Sequence, residues 1–349
     1  MANVKIGIIG YFANGKSVIG GQEAKTCTVA QYLTSEYGEN EVVKFDTYRV
    51  KKNLLYSPFQ AMTALKKCSN VVILPAHNGV RVYVPLLSFF RKFFKNRKLH
   101  YVVIGGWLPE FLQKRKRLAK QLKRFDGIYV ETNTMKRALE EQGFTNIVVM
   151  PNCKDLKILK PQDLVYPAGE PYKLCTFSRV MKEKGIEDAV NAVKAVNTEA
   201  GRTIYTLDIY GQIDSGQIQW FENLQTTFPD YINYRGIVDY DKSVDVLKNY
   251  FALLFPTLFY TEGIPGTIID AYAAGIPVIA SKWESYSDII NDRTGIGYDF
   301  DTENGLTENL LQAANIPTII LDKKTQCLTE AERYKPENVV RILIERMER

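Results

Sequence analysis

The sequence predicts an α/β protein of two doubly wound domains, each a parallel sheet with helices on both faces. Three observations carry that expectation. Short β-branched runs alternate with longer helical patterns along the chain, the mark of strand–helix–strand units. The alternation lapses once, across residues 151–171, which hold four of the fourteen prolines, and then restarts. At 349 residues, each half has chain enough for a core of its own.

In the first half the strand candidates are Val4–Ile9, Val42–Asp46, Val71–Leu74, Tyr101–Ile104, Gly127–Val130 and Ile147–Met150. Amphipathic stretches separate them, the clearest at Glu23–Ser35 and Thr134–Gln142. The second half offers Tyr172–Phe177, Thr203–Tyr210, Tyr231–Tyr234, Ala252–Phe255 and Pro277–Ala280 as strands. Glu187–Val196 and a segment starting near Gly266 read as helices, and Glu337–Met347 follows Pro336 as a further one. The expected domains are therefore 1–165 and 170–335, with 336–349 a helix able to return to the first domain.

Apolar residues at 46% and charged residues at 24% are ordinary for a globular protein, which excludes disordered and fibrous classes. No run approaches the ~18 apolar residues of a membrane span. Met1-Ala2-Asn3-Val4-Lys5 leads straight into a strand, without the apolar core of a secretory signal. The five cysteines form no C-x-x-C pair and there are only two histidines, so reduced thiols and no metal site are expected.

The net charge of +6 conceals a division. Residues 1–165 hold 27 Lys/Arg against 12 Asp/Glu, and the remainder 18 against 27. A basic half beside an acidic half points to an anionic partner for the first.

Gly10-Tyr-Phe-Ala-Asn-Gly15-Lys16-Ser17 fits G-x-x-x-x-G-K-S after a strand, the pattern of a P-loop NTPase or kinase. Two features oppose that reading. Gly20-Gly21 would cost a helix beginning at Lys16 about 2 kcal/mol relative to alanine, and Val71–Leu74 ends in Pro75 rather than in an aspartate. The better reading is a long glycine-bearing loop. Gly20 and Gly21 then let backbone approach a ligand at the start of the following helix, on the carboxyl side of the sheet.

In the second half, Arg179 and Lys184 lie between a strand and a helix, where two cations can converge on an anion. Taken alone they also fit a solvated basic loop. Further on, Glu262-Gly263-Ile264-Pro265-Gly266-Thr267-Ile268-Ile269-Asp270 follows the strand Ala252–Phe255. Its glycines allow close backbone approach, and a helix starting near Gly266 aims free N–H groups forward. Glu262 and Asp270 offer carboxylates, which suit sugar or ribose hydroxyls, although each also fits a plain structural role.

The order R-x4-K-G, then E-G-x-P with an acid eight positions after the glutamate, then A-x-A-x-G-x-P-V-I-A, resembles family four of the retaining glycosyltransferases. The resemblance is specific over about residues 172–300 and looser before them, where Gly20-Gly21 matches the family's glycine pair. Ile104-Gly-Gly-Trp-Leu-Pro-Glu110, Val130-Glu-Thr-Asn133 and Met150-Pro-Asn152 are similar to segments of bacterial capsular and exopolysaccharide transferases.

The resemblance implies a GT-B fold, two Rossmann-like domains whose sheets face across a cleft. Within it, Arg179 and Lys184 would neutralise the diphosphate of a nucleotide sugar. Glu262 and the backbone of Gly263, Ile264, Pro265 and Gly266 would hold the donor sugar, with Thr267 near the phosphates. Asp270 would take the ribose, and Gly211 and the turn ending at Val238 would border the base. A UDP-sugar is the favoured donor and a GDP-sugar the alternative. The implied acceptor is a lipid-linked glycan, and no metal or other cofactor is implied. Two departures stand out. Asp270 replaces the family's usual glutamate, and the histidine often found after the fifth strand of the first domain is missing, leaving His77, one strand early, as a candidate. A non-catalytic sugar-nucleotide-binding module is the alternative within the same resemblance.

Between Arg81 and Arg124 there are 13 Lys/Arg and a single acid, Glu110. Leu86, Leu87, Phe89, Phe90, Phe93 and Phe94 recur on one helical face, with Arg91, Lys92 and Lys95 on the other. Such a helix fits an anionic membrane interface, and it also fits an aromatic face turned to the core. Nothing resembles a nucleic-acid-binding motif, so no nucleic acid is expected. The expected location is cytoplasmic, peripheral on the inner face of the cell membrane.

Overall fold

The computed structural model describes residues 5–12, 21–47 and 55–349. The chain divides into two compact units, Met1–Asp155 with Tyr334–Arg349, and Leu156–Arg333. Each contains a six-stranded, wholly parallel sheet. Gly15, Lys16, Ser17 and Gly20 lie outside the described residues.

The first sheet comprises β1 (Ile6–Gly10), β2 (Val42–Asp46), β3 (Asn70–Ile73), β4 (Lys98–Val102), β5 (Gly127–Val130) and β6 (Ile147–Val149), in the order β2-β1-β3-β4-β5-β6. β1 is buried along its whole length because helices cover both faces. Alternate side chains serve different cores. Ile9, Val71, Ile73 and Tyr101 pack with Ala64, Val84, Leu87 and Leu112 from the helices of one face. Ile6, Ile8, Val72 and Val102 pack on the other with Val29 and Leu33 of the helix Gly21–Tyr37. The helix Pro336–Glu348 completes that second core with Val339, Val340, Leu343, Ile344 and Met347.

The second sheet comprises β7 (Tyr172–Phe177), β8 (Tyr205–Tyr210), β9 (Ile232–Gly236), β10 (Ala252–Phe255), β11 (Val278–Lys282) and β12 (Gly295–Asp299), in the order β12-β11-β10-β7-β8-β9. The chain winds outward from β7 through β8 and β9, then returns to lay β10 on the other side. The β7/β10 junction is thus the point where strand order reverses, and loops at the carboxyl ends of such strands form a crevice.

The structure departs from the sequence reading in three places. Residues 156–165 belong to the second unit, where Leu159 N–H donates to the Ala273 carbonyl and Leu164 packs on Gly275. β12 is absent from the expected strands, and Gly295 and Gly297 interrupt its apolar run. They are required by crowding: a Cβ at Gly295 would lie 2.3 Å from the Val278 carbonyl oxygen, and one at Gly297 2.6 Å from the Tyr286 ring. Finally, the helix His77–Phe90 gives way to a 3-10 turn at Arg91–Phe93, so the aromatic face does not continue at the α-helical period.

Candidate functional site

The segments following β7 and β10 meet at the reversal point of the second sheet. Gly185 adopts φ +67° and starts the helix Ile186–Ala200. A Cβ there would lie 1.8 Å from the Pro256 carbonyl oxygen, so only glycine lets the two segments close up. Beside this contact, Leu258 N–H donates to the Glu183 carbonyl at 2.9 Å.

That closure brings Lys184 to Glu262, 78 positions apart in sequence, as a hydrogen-bonded ion pair. Both side chains are mostly buried, at 17% and 16% exposed. The Lys184 ammonium also lies over two aromatic rings, 5.5 Å from the centre of Phe255 and 5.2 Å from that of Phe259. Arg179 turns elsewhere: its guanidinium is 3.6 Å from Asp214, which follows β8. Ser178 and Gly211 hold the first turn of that segment, since a Cβ on Gly211 (φ +133°) would lie 1.8 Å from the Ser178 carbonyl oxygen.

Gly211 N–H donates to the Gly236 carbonyl at 2.8 Å, and Tyr234 O–H donates back to the Gly211 carbonyl at 2.9 Å. The ends of β8 and β9 are thereby joined, and half-buried Val238 follows in the same loop. Gly263 and Ile264 are buried, and Pro265 caps the helix Gly266–Ala273. In its first turn the Thr267 hydroxyl oxygen is shielded from solvent, with no hydrogen-bond partner among the described residues. Asp270 is 3% exposed and accepts a 3.0 Å hydrogen bond from Ser243 Oγ. It is a more enclosed carboxylate than the sequence suggested.

In the first unit, Gly21 is the first residue of the helix Gly21–Tyr37, and among the described residues nothing beyond its chain neighbours and its own helix backbone lies within 4 Å of where a Cβ would stand. His77 stacks on Trp107, ring centres 3.8 Å apart, with Phe111 edge-on at 5.4 Å. β3 and β4 are neighbours, so a histidine one strand early still reaches the Gly105–Trp107 loop. Burial and then the nearby Arg115 push the His77 pKa below its ordinary value, which favours a neutral ring.

The basic aromatic segment is corrected in part. Phe90 and Phe94 pack against the first core and do not face outward, and Arg91 is held by Asp126 at 2.9 Å and by the Arg124 carbonyl. Phe89, Lys92, Phe93 and Lys95 remain exposed. Among the described residues, no helix is long and apolar enough to cross a membrane. Nor does any group of three or more His, Cys, Asp and Glu among them stand where it could hold a metal ion.

Asp214, Ser243 and Phe259 were not singled out from the sequence. Each comes from a loop whose proximity depends on strand order, which no local pattern reveals.

Residues 171–315 match the family model of glycosyl transferases group 1. That span covers β7 to β12 with the Lys184–Glu262 pair. No curated protein matches the chain in sequence. Among solved structures, HepE of Anabaena in complex with UDP is similar at a TM-score of 0.76 and 14% identity, covering 99% of this chain and 100% of its own. The apo lipopolysaccharide outer core galactosyltransferase WaaB has a TM-score of 0.68 and 16% identity, with 99% of both chains covered. A TarM variant of S. aureus, crystallised with fondaparinux, α-GlcNAc-glycerol and UDP, has a TM-score of 0.63 and 15% identity over 84% of this chain. This chain spans 59% of that TarM chain. At these identities the likeness shows a shared GT-B fold of two Rossmann-like units.

Proposed function

We propose that the protein is a retaining, metal-independent glycosyltransferase that moves a sugar from a nucleotide donor, UDP-linked by preference, to a lipid-linked glycan in capsular or exopolysaccharide synthesis. The observation that carries this reading is the meeting of Lys184 with Glu262 at the reversal point of a sheet whose span matches glycosyl transferases group 1. UDP in the HepE and TarM structures supports the choice of base.

In this reading Lys184 and Arg179 hold the donor diphosphate. As the bond from the anomeric carbon to the phosphate oxygen lengthens, negative charge gathers on the departing diphosphate and positive charge on the sugar ring. Lys184, already ordered by Glu262, and Arg179, once turned from Asp214, bind that diphosphate more strongly than they bind the intact donor, which lowers the barrier. Glu262 and the Gly263–Gly266 backbone orient the sugar hydroxyls, and Asp270, set by Ser243, takes the ribose. The acceptor hydroxyl attacks from the face the diphosphate leaves, forming the new bond as the old one breaks, and its proton passes to the departing phosphate oxygen. Configuration is retained. The first unit works at an anionic membrane face of the cytoplasm.

The decisive experiment is thermal denaturation with UDP, GDP, ADP and CMP and their sugar conjugates. Stabilisation by UDP and one UDP-sugar, in the presence of EDTA, is the expected result. Transfer to a lipid-linked acceptor is then followed by NMR of the product anomer. Absence of any nucleotide-linked stabilisation would overturn the reading.

A further inference from the structure

The helix Tyr56–Lys67 carries an apolar face that its periodicity alone does not advertise. Its inward side is small, with Ser57, Ala61, Ala64 and Leu65 buried. Its outward side presents Tyr56, Phe59 and Met62, and Phe59 is 65% exposed. The neighbouring helix His77–Phe90 ends in Phe89, 54% exposed, and the turn beyond it in Phe93, 70% exposed. These are large apolar side chains left in water on adjacent helices of one core face, more than isolated surface residues.

The first helix is tied to the second at mid-length and to the segment beyond the 3-10 turn near its own end. Tyr83 O–H donates to the Gln60 side chain at 2.5 Å, and Arg97 Nε donates to the Leu65 carbonyl at 3.0 Å. Arg97 also lines, with Lys92, Phe93, Phe94, Lys95 and Asn96, a shallow depression of about 500 Å³. Across residues 55–67 and 77–97 there are seven Lys/Arg and no Asp or Glu. Arg91 is paired with Asp126, while Lys92 and Lys95 stay exposed beside the apolar residues, a combination that fits one occupant, an anionic lipid surface.

We propose that these two helices form a single membrane-contacting ridge. Phe59, Met62, Phe89 and Phe93 enter the interfacial layer, while Lys92, Lys95 and Arg97 meet lipid phosphates at the depression. This rests on the membrane-associated reading above and extends it to a helix that the basic segment does not contain.

The test is co-sedimentation of the full chain at low salt with vesicles of equal parts phosphatidylglycerol and phosphatidylcholine, and with phosphatidylcholine alone. Wild-type protein is expected to bind the anionic vesicles and to be released by high salt. Phe59→Ser with Met62→Ser, and separately Lys92→Gln with Lys95→Gln, should each weaken binding about tenfold, as the loss of buried apolar area and of lipid-facing cations requires. UDP-dependent stabilisation should stay unchanged in both. A Phe59→Trp variant should shift its emission to the blue on anionic vesicles, which reports insertion directly. If the lysine pair weakens binding and the Phe59/Met62 pair does not, the ridge is wrong and the basic turn alone makes contact. If wild-type protein ignores anionic vesicles, the membrane reading falls with it. Self-association that Phe59→Ser abolishes, without vesicle binding, would make the face a protein interface and overturn the proposal.

Discussion

Gly185 stands against Pro256 so closely that no side chain fits between them: a Cβ would approach the Pro256 carbonyl oxygen to 1.8 Å. One hydrogen atom's worth of space therefore decides whether the segments after β7 and β10 can present Lys184 and Glu262 together. Gly185→Ala adds both a clash with backbone and an unfavourable left-handed conformation. The expected loss is at least ~2 kcal/mol of stability. UDP-dependent stabilisation should disappear as well, both being readable in one set of thermal melts.

Lys184 and Glu262 answer differently to substitution, because one is proposed to hold the diphosphate and the other the sugar. Lys184→Met should weaken UDP binding tenfold or more, measured by calorimetry. Glu262→Gln keeps the shape and loses the charge, so UDP affinity should change little. Turnover of the UDP-sugar should fall by roughly 10²–10³, the scale seen when one oriented polar group is removed from a reacting centre. Equal losses of UDP affinity in the two variants would contradict the division of labour.

Phe259 flanks the Lys184 ammonium at 5.2 Å and is itself 38% exposed. In the proposed mechanism it is a positioning residue, acting through the cation above its ring. Phe259→Leu keeps an apolar side chain but removes the ring's electrostatic attraction. UDP affinity should drop several-fold, with the melting temperature of the free protein nearly unchanged. Phe259→Trp, with a stronger ring, should restore it.

His100 supplies a pH dependence remote from the site. It is fully buried, its Nε2–H donates to Asn70 Oδ1 at 3.1 Å, and it accepts from Tyr129 O–H at 3.0 Å. Burial, the largest cause, pushes its pKa down to about 4 from 6.5. The unfolded chain takes up this proton as pH falls through 6.5, while the folded protein refuses it until about 4. Stability is therefore lost on acidification across that window, up to about 3 kcal/mol from this one group. Denaturant titrations at pH 7 and pH 5 should show the loss, and His100→Gln should flatten the difference.

Most strands were legible because parallel strands covered on both faces must be continuously apolar, as Ile8-Ile9 and Val71-Val72-Ile73 are. Gly295–Asp299 escaped notice, since glycines that relieve crowding look the same in sequence as glycines that end a strand. The candidate site was half legible. Arg179, Lys184 and Glu262 stand at strand ends, which sequence reveals. Their companions Asp214, Phe259 and Ser243 are fixed by which strands lie side by side, a property of the whole sheet. The aromatic segment shows a third limit: its face already parts at Phe89, exposed beside the packed Phe90, and the 3-10 turn then rotates Phe93 outward while Phe94 stays with the core.

The helix Pro336–Glu348 belongs to the core built on β1 and β3, although all of the second unit intervenes in the chain. During synthesis, Ile6, Ile8, Val72 and Val102 are thus made early but have no partner on part of that face until the ribosome has completed the second unit. The second unit can close first, as an uninterrupted stretch of chain. The first must wait, with one apolar side open to chaperones or aggregation. A truncated Met1–Asp155 fragment would carry that exposed face permanently, which makes it a poor vehicle for studying the first unit alone.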